Sequence, residues 1–314
     1  MEIAIQIVLL ATGFVLLIKG ANWFVEGASA IADKFGLPQI VIGLTIVAFG
    51  TSTPEAAVSI GAALKGNAGL TIGNVIGSNI MNILLILGIT AILTPLAIQK
   101  YTFRCEIPFV LVITGILLVM GVDDVVMQFE GVILCGLMLV FLIYLIVMSK
   151  KGLITVEGTD EEDEGDRKSS IWIMLFSTAA GMAMIVYGSD IVVDNATLIA
   201  TNFGISDRII GLTVIAFGTS LPELVTSVIA GLKGKADIAI GNIVGSNIFN
   251  ILFVLGSAAL ITDISFAPQF ISDTIISMLV TVMLWVFILI SKKLKRYAGI
   301  IMLAGFVVYF VNLL

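Results

Sequence analysis

GLTIVAFGTSTPE, residues 43–55, is the stretch that decides the fold, because the chain repeats it almost unchanged as GLTVIAFGTSLPE, residues 211–223. The copies lie within longer repeats, 43–88 and 211–256, which align without a gap at an offset of 168 and share 28 of 46 residues. Each stretch begins apolar and ends with a proline and a glutamate. Because proline interrupts a helix, the sequence predicts two related halves, each with a carboxylate beside a broken helix.

The composition is that of a membrane protein. Of 314 residues, 59% are hydrophobic and 12% are charged, and the mean hydropathy is +1.15, whereas soluble domains carry roughly 25% charged residues. Apolar runs of about twenty residues, the length that crosses a hydrocarbon core, recur along the chain, and the short alternating segments of a β-barrel are absent. We expect an all-α polytopic fold with ten transmembrane helices, at residues 3–27, 37–64, 70–94, 105–121, 127–148, 171–200, 207–231, 238–262, 270–290 and 297–314.

Lysine and arginine predict the orientation in the membrane. When the connections between helices are numbered in chain order, the even-numbered ones hold only Lys65 and Arg208. The odd-numbered ones hold thirteen basic residues: Lys34, Lys100, Arg104, Lys150, Lys151, Arg167, Lys168, Lys233, Lys235, Lys292, Lys293, Lys295 and Arg296. Because cytoplasmic loops are enriched in lysine and arginine, we expect the odd-numbered connections in the cytoplasm and both termini outside.

The repeat and this topology together predict an inverted repeat. Five helices per half is an odd number, so the second half enters the membrane from the opposite side, as in secondary transporters. We expect a first five-helix repeat at 1–148, an acidic cytoplasmic linker at 149–170 and a second five-helix repeat at 171–314. The linker stretch EGTDEEDEGD, residues 157–166, is typical of a solvated segment. A calcium-sensing role is the alternative, although the stretch lacks EF-hand spacing.

Polar residues recur on one face of each repeated helix. An ionised glutamate near the bilayer centre costs at least about 2.5–3.5 kcal/mol, and no lysine or arginine is expected at the depth of Glu55 or Glu223. A bound cation is therefore the simplest compensation for these two carboxylates. The positions at helical spacing are Thr45, Ser52, Glu55, Ser59, Asn74, Ser78 and Asn82 in the first half, and Thr213, Ser220, Glu223, Ser227, Asn242, Ser246 and Asn250 in the second.

The donor set predicted here consists of oxygen atoms. Pro54 and Pro222 remove amide donors, so we expect free carbonyls at Ala48, Thr51 and their neighbours. Carbonyls, hydroxyls, amides and two carboxylates suit Ca²⁺ and Na⁺ rather than zinc or copper, and the chain has no histidine. Pseudo-two-fold symmetry would bring the two glutamates together at the midplane, where their charges match one Ca²⁺.

A purely structural role stays open for part of this pattern. Serine and threonine in membrane helices often form hydrogen bonds between helices, and small residues four apart allow close helix packing. The second explanation applies to Gly73-x-x-x-Gly77 and to Gly241-x-x-x-Gly245. It does not account for the duplicated proline and glutamate, because a buried charge is costly.

The motifs AFGTSTPE with GNVIGSNIMN, and AFGTSLPE with GNIVGSNIFN, resemble the two α-repeats of the cation/Ca²⁺ exchanger superfamily, in particular its Na⁺/Ca²⁺ exchanger branch. The resemblance covers essentially the whole chain. It implies an antiporter without a cofactor, in which Na⁺ entering down its gradient expels Ca²⁺ by alternating access while the first and sixth helices slide across the core. The ligands that it implies are Glu55, Glu223, Asn82, Asn250 and the carbonyls of Thr51 and Thr219 for Ca²⁺, and Ser52, Ser78, Ser220, Ser246 and the carbonyls of Ala48 and Ala216 for flanking Na⁺ sites.

Three other functions remain as alternatives. A Ca²⁺/H⁺ antiporter would use the same fold and the same glutamates as proton carriers, although that branch typically has asparagine where both copies here read GTS. An intramembrane enzyme is disfavoured because the sequence contains no metal cluster or nucleophile motif. A cation channel is the third alternative, and its ion flux would not saturate with the counter-ion. The amide side chain at Asn250 resembles the K⁺-independent family members, because members that also transport K⁺ tend to have aspartate at this position. We expect a multi-pass protein of a prokaryotic plasma membrane, surrounded by lipid, with neither a nucleic acid nor an obligatory protein partner.

Overall fold

The computed structural model describes residues 2–66, 68–150, 170–204 and 216–313, and these residues are almost entirely helical. Most of the acidic linker, together with Arg208, Gly211 and Thr213, lies outside the described residues. The first half contains α1 (Glu2–Phe35), α2 (Gln39–Thr51), α3 (Thr53–Leu64), α4 (Ala68–Met81, continuing through Asn82–Leu87 to Gly88–Leu93), β1 (Leu96–Ala97), α5 (Thr102–Glu106, continuing through Ile107–Met120), β2 (Val125–Val126) and α6 (Gln128–Lys150).

The second half repeats this order of elements. It contains α7 (Ile171–Asn202), α8 (Ala216–Thr219), α9 (Leu221–Leu232), α10 (Ala236–Phe249, continuing through Asn250–Leu255 to Gly256–Ile261), β3 (Ile264–Ser265), α11 (Pro268–Ser291), β4 (Lys293–Leu294) and α12 (Arg296–Leu313). Each element therefore has a counterpart in the other half, as the sequence repeat predicts.

Seven helices of the described residues are long and apolar enough to cross a membrane by themselves. The bent pair α2 and α3 makes an eighth span if it is counted as one, and α9 and α12 are shorter apolar helices. The prediction of a polytopic helical membrane protein is confirmed. The count of ten crossings and the location of both termini outside stay predictions.

The predicted helix breaks lie at Ser52 and Ser220. α2 and α3 meet at Ser52 with an angle of 51°, and Pro54 occupies the first turn of α3, where an amide has no helical partner. Pro222 has the same place in α9, directly after Ser220 and Leu221. Each of these two spans is therefore two helices, and the first turns of α3 and α9 lie inside the protein.

α4 and α10 form the centre of the fold. In their most apolar windows 78% of the α4 residues and 94% of the α10 residues are buried, against 44% or less in the other long helices. π-helical turns interrupt them at equivalent places, Asn82–Leu87 and Asn250–Leu255. Such turns are rare and frequently occur at functional sites, and both of these begin at a predicted site residue.

α1 and α7 pack against each other along their length in opposite directions. The contact runs through glycines seven residues apart: a Cβ on Gly13 would lie 2.9 Å from the Gly188 carbonyl oxygen, and one on Gly20 would lie 2.8 Å from the Gly181 carbonyl oxygen. The backbones are therefore in direct contact at these glycines. The family resemblance implies that the first and sixth spans slide, and this stays a prediction.

Two short antiparallel strand pairs join the halves. β1 pairs with β4 through Leu96 and Leu294, and β2 pairs with β3 through Val126 and Ile264. The first pair connects two of the lysine- and arginine-rich connections, and the second connects two of the others. The contacts agree with the predicted alternation of sides, while the side that faces the cytoplasm stays a prediction.

Candidate cation site

The two glutamates of the repeats lie at the two helix breaks. Glu55 is in the first turn of α3 and Glu223 is in the first turn of α9, and each is only 1% exposed. The N-terminus of a helix favours a negative charge because its first amides have no helical acceptor. The proline that breaks each span therefore also creates the favourable position for the carboxylate that follows it.

Hydrogen bonds cross between the halves at these carboxylates. The Ser52 hydroxyl donates to Glu223 Oε1 at 2.8 Å, and the Ser220 hydroxyl donates to Glu55 Oε1 at 3.2 Å. Each serine at a helix break thus bonds the glutamate of the opposite repeat. The structure brings together two residues from each repeat, which are equivalent in pairs at an offset of 168, as the pseudo-two-fold symmetry predicts.

Asparagines on α4 and α10 hold the backbone next to each carboxylate. Asn74 Nδ2 donates to the Ser59 hydroxyl at 2.9 Å and to the Glu55 carbonyl at 3.3 Å. In the second half Asn242 Nδ2 makes the equivalent bonds to the Ser227 hydroxyl, at 2.9 Å, and to the Glu223 carbonyl, at 3.4 Å. The sequence predicted a polar face containing these residues, and the bonds give them a supporting function.

A second network consists of four buried asparagine amides. Asn79 Nδ2 donates to the Asn247 carbonyl and Asn247 Nδ2 donates to the Asn79 carbonyl, both at 3.2 Å. The side-chain oxygens of this pair accept in turn, from Asn82 Nδ2 at 2.9 Å and from Asn250 Nδ2 at 3.2 Å. The side-chain nitrogens of Asn82 and Asn250 are therefore hydrogen-bonded, whereas their side-chain oxygens take no part in this network.

Several buried oxygen atoms without a hydrogen-bond partner mark the candidate site. Within the described residues, five buried oxygen atoms of the predicted ligands have no hydrogen-bond partner: Glu55 Oε2, Glu223 Oε2, Asn82 Oδ1, Asn250 Oδ1 and Ser246 Oγ. A buried acceptor without a donor is unfavourable. The one salt bridge among the described residues joins Glu26 to Lys233, so no lysine or arginine neutralises either site carboxylate. Carboxylate and amide oxygens with open lone pairs are the donor set of Ca²⁺ and Na⁺.

The remaining predicted ligands lie around these atoms. Thr51, at the end of α2, is buried and donates to Asn242 Oδ1 at 2.9 Å. Ser78 and Ser246 are buried one turn before Asn82 and Asn250. Thr219 is half-buried at the end of α8, and Ala216 is the first described residue of that helix. α3 packs on the π turn that begins at Asn250, and α9 packs on the one that begins at Asn82, which brings the carboxylate and amide layers together.

The prediction of a free Ala48 carbonyl is wrong. This carbonyl accepts a hydrogen bond from the Ser52 amide at 3.0 Å, because the α-helical pattern continues to Ser52. The amide that Pro54 lacks would have bonded the carbonyl four residues earlier, at Gly50. The Thr51 hydroxyl also lies within hydrogen-bond distance of this carbonyl oxygen, at 3.3 Å, so an ion at Ala48 would compete with a donor for the second lone pair.

Sequence reasoning missed two residues of the candidate site, Asn79 and Asn247. They belong to the GSNIMN and GSNIFN motifs and are equivalent in the repeat, which was the available signal. They lie off the stripe of residues spaced by four that contains Asn74, Ser78 and Asn82, so helical spacing alone assigned them to no shared face.

Comparison with known proteins follows the same division of the chain into halves. A family model for the sodium/calcium exchanger protein matches residues 5–147 and 173–314. The chain belongs to the sodium/calcium exchanger protein family. This exchanger is 36% identical over 318 residues to the inner membrane protein YrbG of Escherichia coli, covering 96% of this chain and 94% of YrbG. It is 31% identical over 351 residues to the sodium/calcium exchanger MaX1 of Methanosarcina acetivorans, covering 99% of each.

Solved structures show the same fold. The sodium-calcium exchanger NCX_Mj, in crystals soaked with Na⁺ and Sr²⁺, matches this exchanger with a TM-score of 0.85 at 30% identity, covering 98% of this chain and 97% of that chain. Family membership confirms the resemblance seen in the repeat motifs. It also confirms that the chain is a transporter rather than an enzyme, and that Na⁺ and Ca²⁺ are the substrates of its family.

Proposed function

We propose that the exchanger is a secondary antiporter that exchanges Na⁺ for Ca²⁺ by alternating access, at a single buried site around Glu55 and Glu223. The observation that carries the proposal is the set of open oxygens, contributed in equivalent pairs by both repeats: one carboxylate oxygen and one amide oxygen from each. Two carboxylates supply two negative charges, which one Ca²⁺ neutralises. Flanking Na⁺ ions would use Ser52, Ser220, Ser78 and Ser246.

The charge of the site gives a physical reason for coupling. Two buried carboxylates without a counter-charge carry a large desolvation cost, so an empty site is unfavourable in any state that removes it from water. One Ca²⁺ or a set of Na⁺ ions removes this cost. The exchanger then changes sides only when loaded, and the two ions compete for the same oxygens because both prefer carboxylate and amide ligands. In the cell we expect the bilayer to be a prokaryotic plasma membrane.

A Ca²⁺/H⁺ antiporter is the second candidate, because the same two buried carboxylates can bind protons. The residues of both repeats favour Na⁺, since each reads GTS before the proline and the glutamate. The named relative MaX1 and the structural neighbour NCX_Mj are both sodium/calcium exchangers. Asn250, an amide rather than a carboxylate, supports exchange without K⁺.

The test is ⁴⁵Ca²⁺ uptake into proteoliposomes loaded with Na⁺ and diluted into Na⁺-free medium, compared with K⁺-loaded vesicles and with an imposed pH gradient. We expect uptake that needs internal Na⁺, saturates with Ca²⁺ and is absent in Glu55→Gln and in Glu223→Gln. Asp123→Asn, in an exposed turn, is the control and should retain full activity. Uptake that is driven by the pH gradient and does not depend on Na⁺ would show that the protein is a Ca²⁺/H⁺ antiporter. Robust exchange by either glutamine variant would show that the assignment of the cation site to that glutamate is wrong.

A further inference from the structure

A pocket without an assigned function lies between α5 and α6. The backbones of these two helices hardly approach each other, and a cavity of about 230 Å³ separates them. Across the gap the rings of Phe109 and Phe141 stack with centroids 5.4 Å apart. The other residues that line the cavity are Cys105, Glu106, Val140 and Tyr144.

Glu106 is the polar centre of this pocket. It is 1% exposed, and its Oε1 accepts a hydrogen bond from the Tyr144 hydroxyl at 3.0 Å. Its Oε2 has no hydrogen-bond partner among the described residues, and neither lysine nor arginine lines the cavity. A buried carboxyl group with one open oxygen calls for a donor. None of the cation-site residues lines this cavity.

The second half contains a related but more open pair. On α11 and α12, Asp273 Oδ1 accepts a hydrogen bond from the Tyr309 hydroxyl at 3.4 Å, and Asp273 is half-buried. An acid on the fourth span and a tyrosine on the fifth thus occur in both halves, one to three residues out of register. Of the two acids, Glu106 is the buried one and lines the cavity described above, whereas Asp273 is half-buried, so Asp273 is a matched control.

The chemistry of the pocket selects its occupant. Walls of phenylalanine and valine favour hydrocarbon, and the open carboxylate oxygen favours an N–H donor, particularly a cationic one. A metal ion is a poor fit because one carboxylate and one phenol are too few oxygen ligands for Ca²⁺, which takes six to eight. Two exposed basic residues, Lys100 and Arg104, lie six and two positions before Glu106 in the chain, so a phosphate group has cationic partners close to the start of α5.

We propose that this pocket binds the primary ammonium group of an aminophospholipid of the phosphatidylethanolamine type, with Glu106 as the acceptor. The ethylene carbons of the head group contact the aromatic walls. The phosphate stays at the end of α5 that carries the exposed basic residues Lys100 and Arg104. The Tyr144 hydroxyl occupies Oε1 and leaves Oε2 for the lipid.

The experiment measures which lipids the purified exchanger retains. The protein is reconstituted in nanodiscs that contain equal amounts of phosphatidylethanolamine and phosphatidylcholine with a fixed fraction of phosphatidylglycerol, released into the gas phase and analysed by native mass spectrometry. Phosphatidylcholine is the discriminating partner because its trimethylammonium group has no N–H donor. Octylamine, octanol and octyltrimethylammonium are then added separately as soluble competitors.

We expect retention of phosphatidylethanolamine over phosphatidylcholine by about tenfold, and displacement by octylamine but not by octanol or octyltrimethylammonium. Glu106→Gln should abolish the preference, Tyr144→Phe should weaken it, and Asp273→Asn should leave it unchanged. Equal retention of the two lipids by the wild type, which needs no variant to fold, overturns the proposal. So does a preference that persists in Glu106→Gln, or octylamine binding without phosphatidylethanolamine retention. Because lipid retention is measured without ion transport, the result is independent of the exchange activity.

Discussion

Glu26 on α1 forms a salt bridge with Lys233, directly after the end of α9, whereas the equivalent residues of the other half do not meet. Those equivalents are Asp194 on α7 and Lys65 after α3, both exposed and without an ion-pair partner among the described residues. The helices that carry these residues show the same asymmetry as the ion pair: α1 packs along α9, whereas α7 hardly approaches α3. The two halves thus have the same sequence pattern in two different arrangements, which is the asymmetry that an inverted-repeat transporter has in one of its two end states.

Lys233→Ala should shift the exchanger away from this end state. A partly exposed ion pair of this kind contributes up to about 1 kcal/mol, so we expect the equilibrium between end states to change by up to about fivefold. Distances between spin labels at the exposed Phe35 and Leu232, in a variant without the two cysteines, report the opening of α1 from α9. Lys65→Ala is the matched control and should shift the distances in the opposite direction or not at all; an equal shift by both variants would contradict the assignment.

Removing a crossing serine should weaken Ca²⁺ binding. Ser52→Ala deletes the donor to Glu223 Oε1, and a hydrogen bond to a charged group contributes about 1.5–3 kcal/mol, so we expect the KM for Ca²⁺ to rise by about tenfold or more. Ser220→Ala should have a similar effect through Glu55. Thr53→Ala is the control, since its exposed hydroxyl bonds only the Phe49 carbonyl. An unchanged KM in both serine variants would show that these bonds do not stabilise the loaded site.

Asn79 should act by orienting the Asn250 amide rather than by packing. In Asn79→Leu the Asn250 nitrogen loses its acceptor, and the amide becomes free to turn its NH₂ group toward the ion, so we expect the KM for Ca²⁺ to rise. Asn250→Asp places an oxygen in both orientations. In the Asn250→Asp background, Asn79→Leu should therefore raise the KM for Ca²⁺ much less. An equal rise of the KM in both backgrounds would indicate that Asn79 has a packing role.

The glycine contact between α1 and α7 should not tolerate a side chain. A Cβ on Gly181 would lie 2.5 Å from the Phe24 amide nitrogen and 2.7 Å from the Gly20 carbonyl oxygen, and backbone atoms cannot yield as a flexible side chain can. Overpacking costs about 1–3 kcal/mol, so Gly181→Val should lower the midpoint of thermal denaturation in detergent by several degrees and slow exchange. Gly136→Ala, where a Cβ meets nothing within 4 Å, is the control. Full activity and stability of Gly181→Val would show that the contact is not tight.

The sequence predicts the large features of this exchanger for identifiable reasons. The duplicated GTS-x-PE stretch predicts both helix breaks, and the odd number of spans per half predicts that Glu55 and Glu223 meet. The π turns at Asn82 and Asn250 have no such signal, because their sequences are apolar and read as ordinary helix. The exchange of hydrogen bonds between Asn79 and Asn247 depends on how close α4 and α10 lie to each other, which no local pattern determines. The Ala48 carbonyl was assigned wrongly because the residue whose carbonyl a proline frees was misplaced by two positions.

The strand pairs β1–β4 and β2–β3 have a consequence for how the chain is made. The partner of Leu96, in the first third of the chain, is Leu294, twenty residues before the last residue of the chain. A ribosome therefore delivers the first repeat with one strand of each ladder unpaired and with half of the oxygen set. The oxygen set and the β2–β3 ladder are completed only after α10 and β3 have been made, and the β1–β4 ladder only after α11 and β4. We therefore expect that neither repeat folds stably by itself, despite their near-identical motifs. A separately expressed first repeat should need the second repeat, supplied in trans with the opposite orientation, to escape degradation.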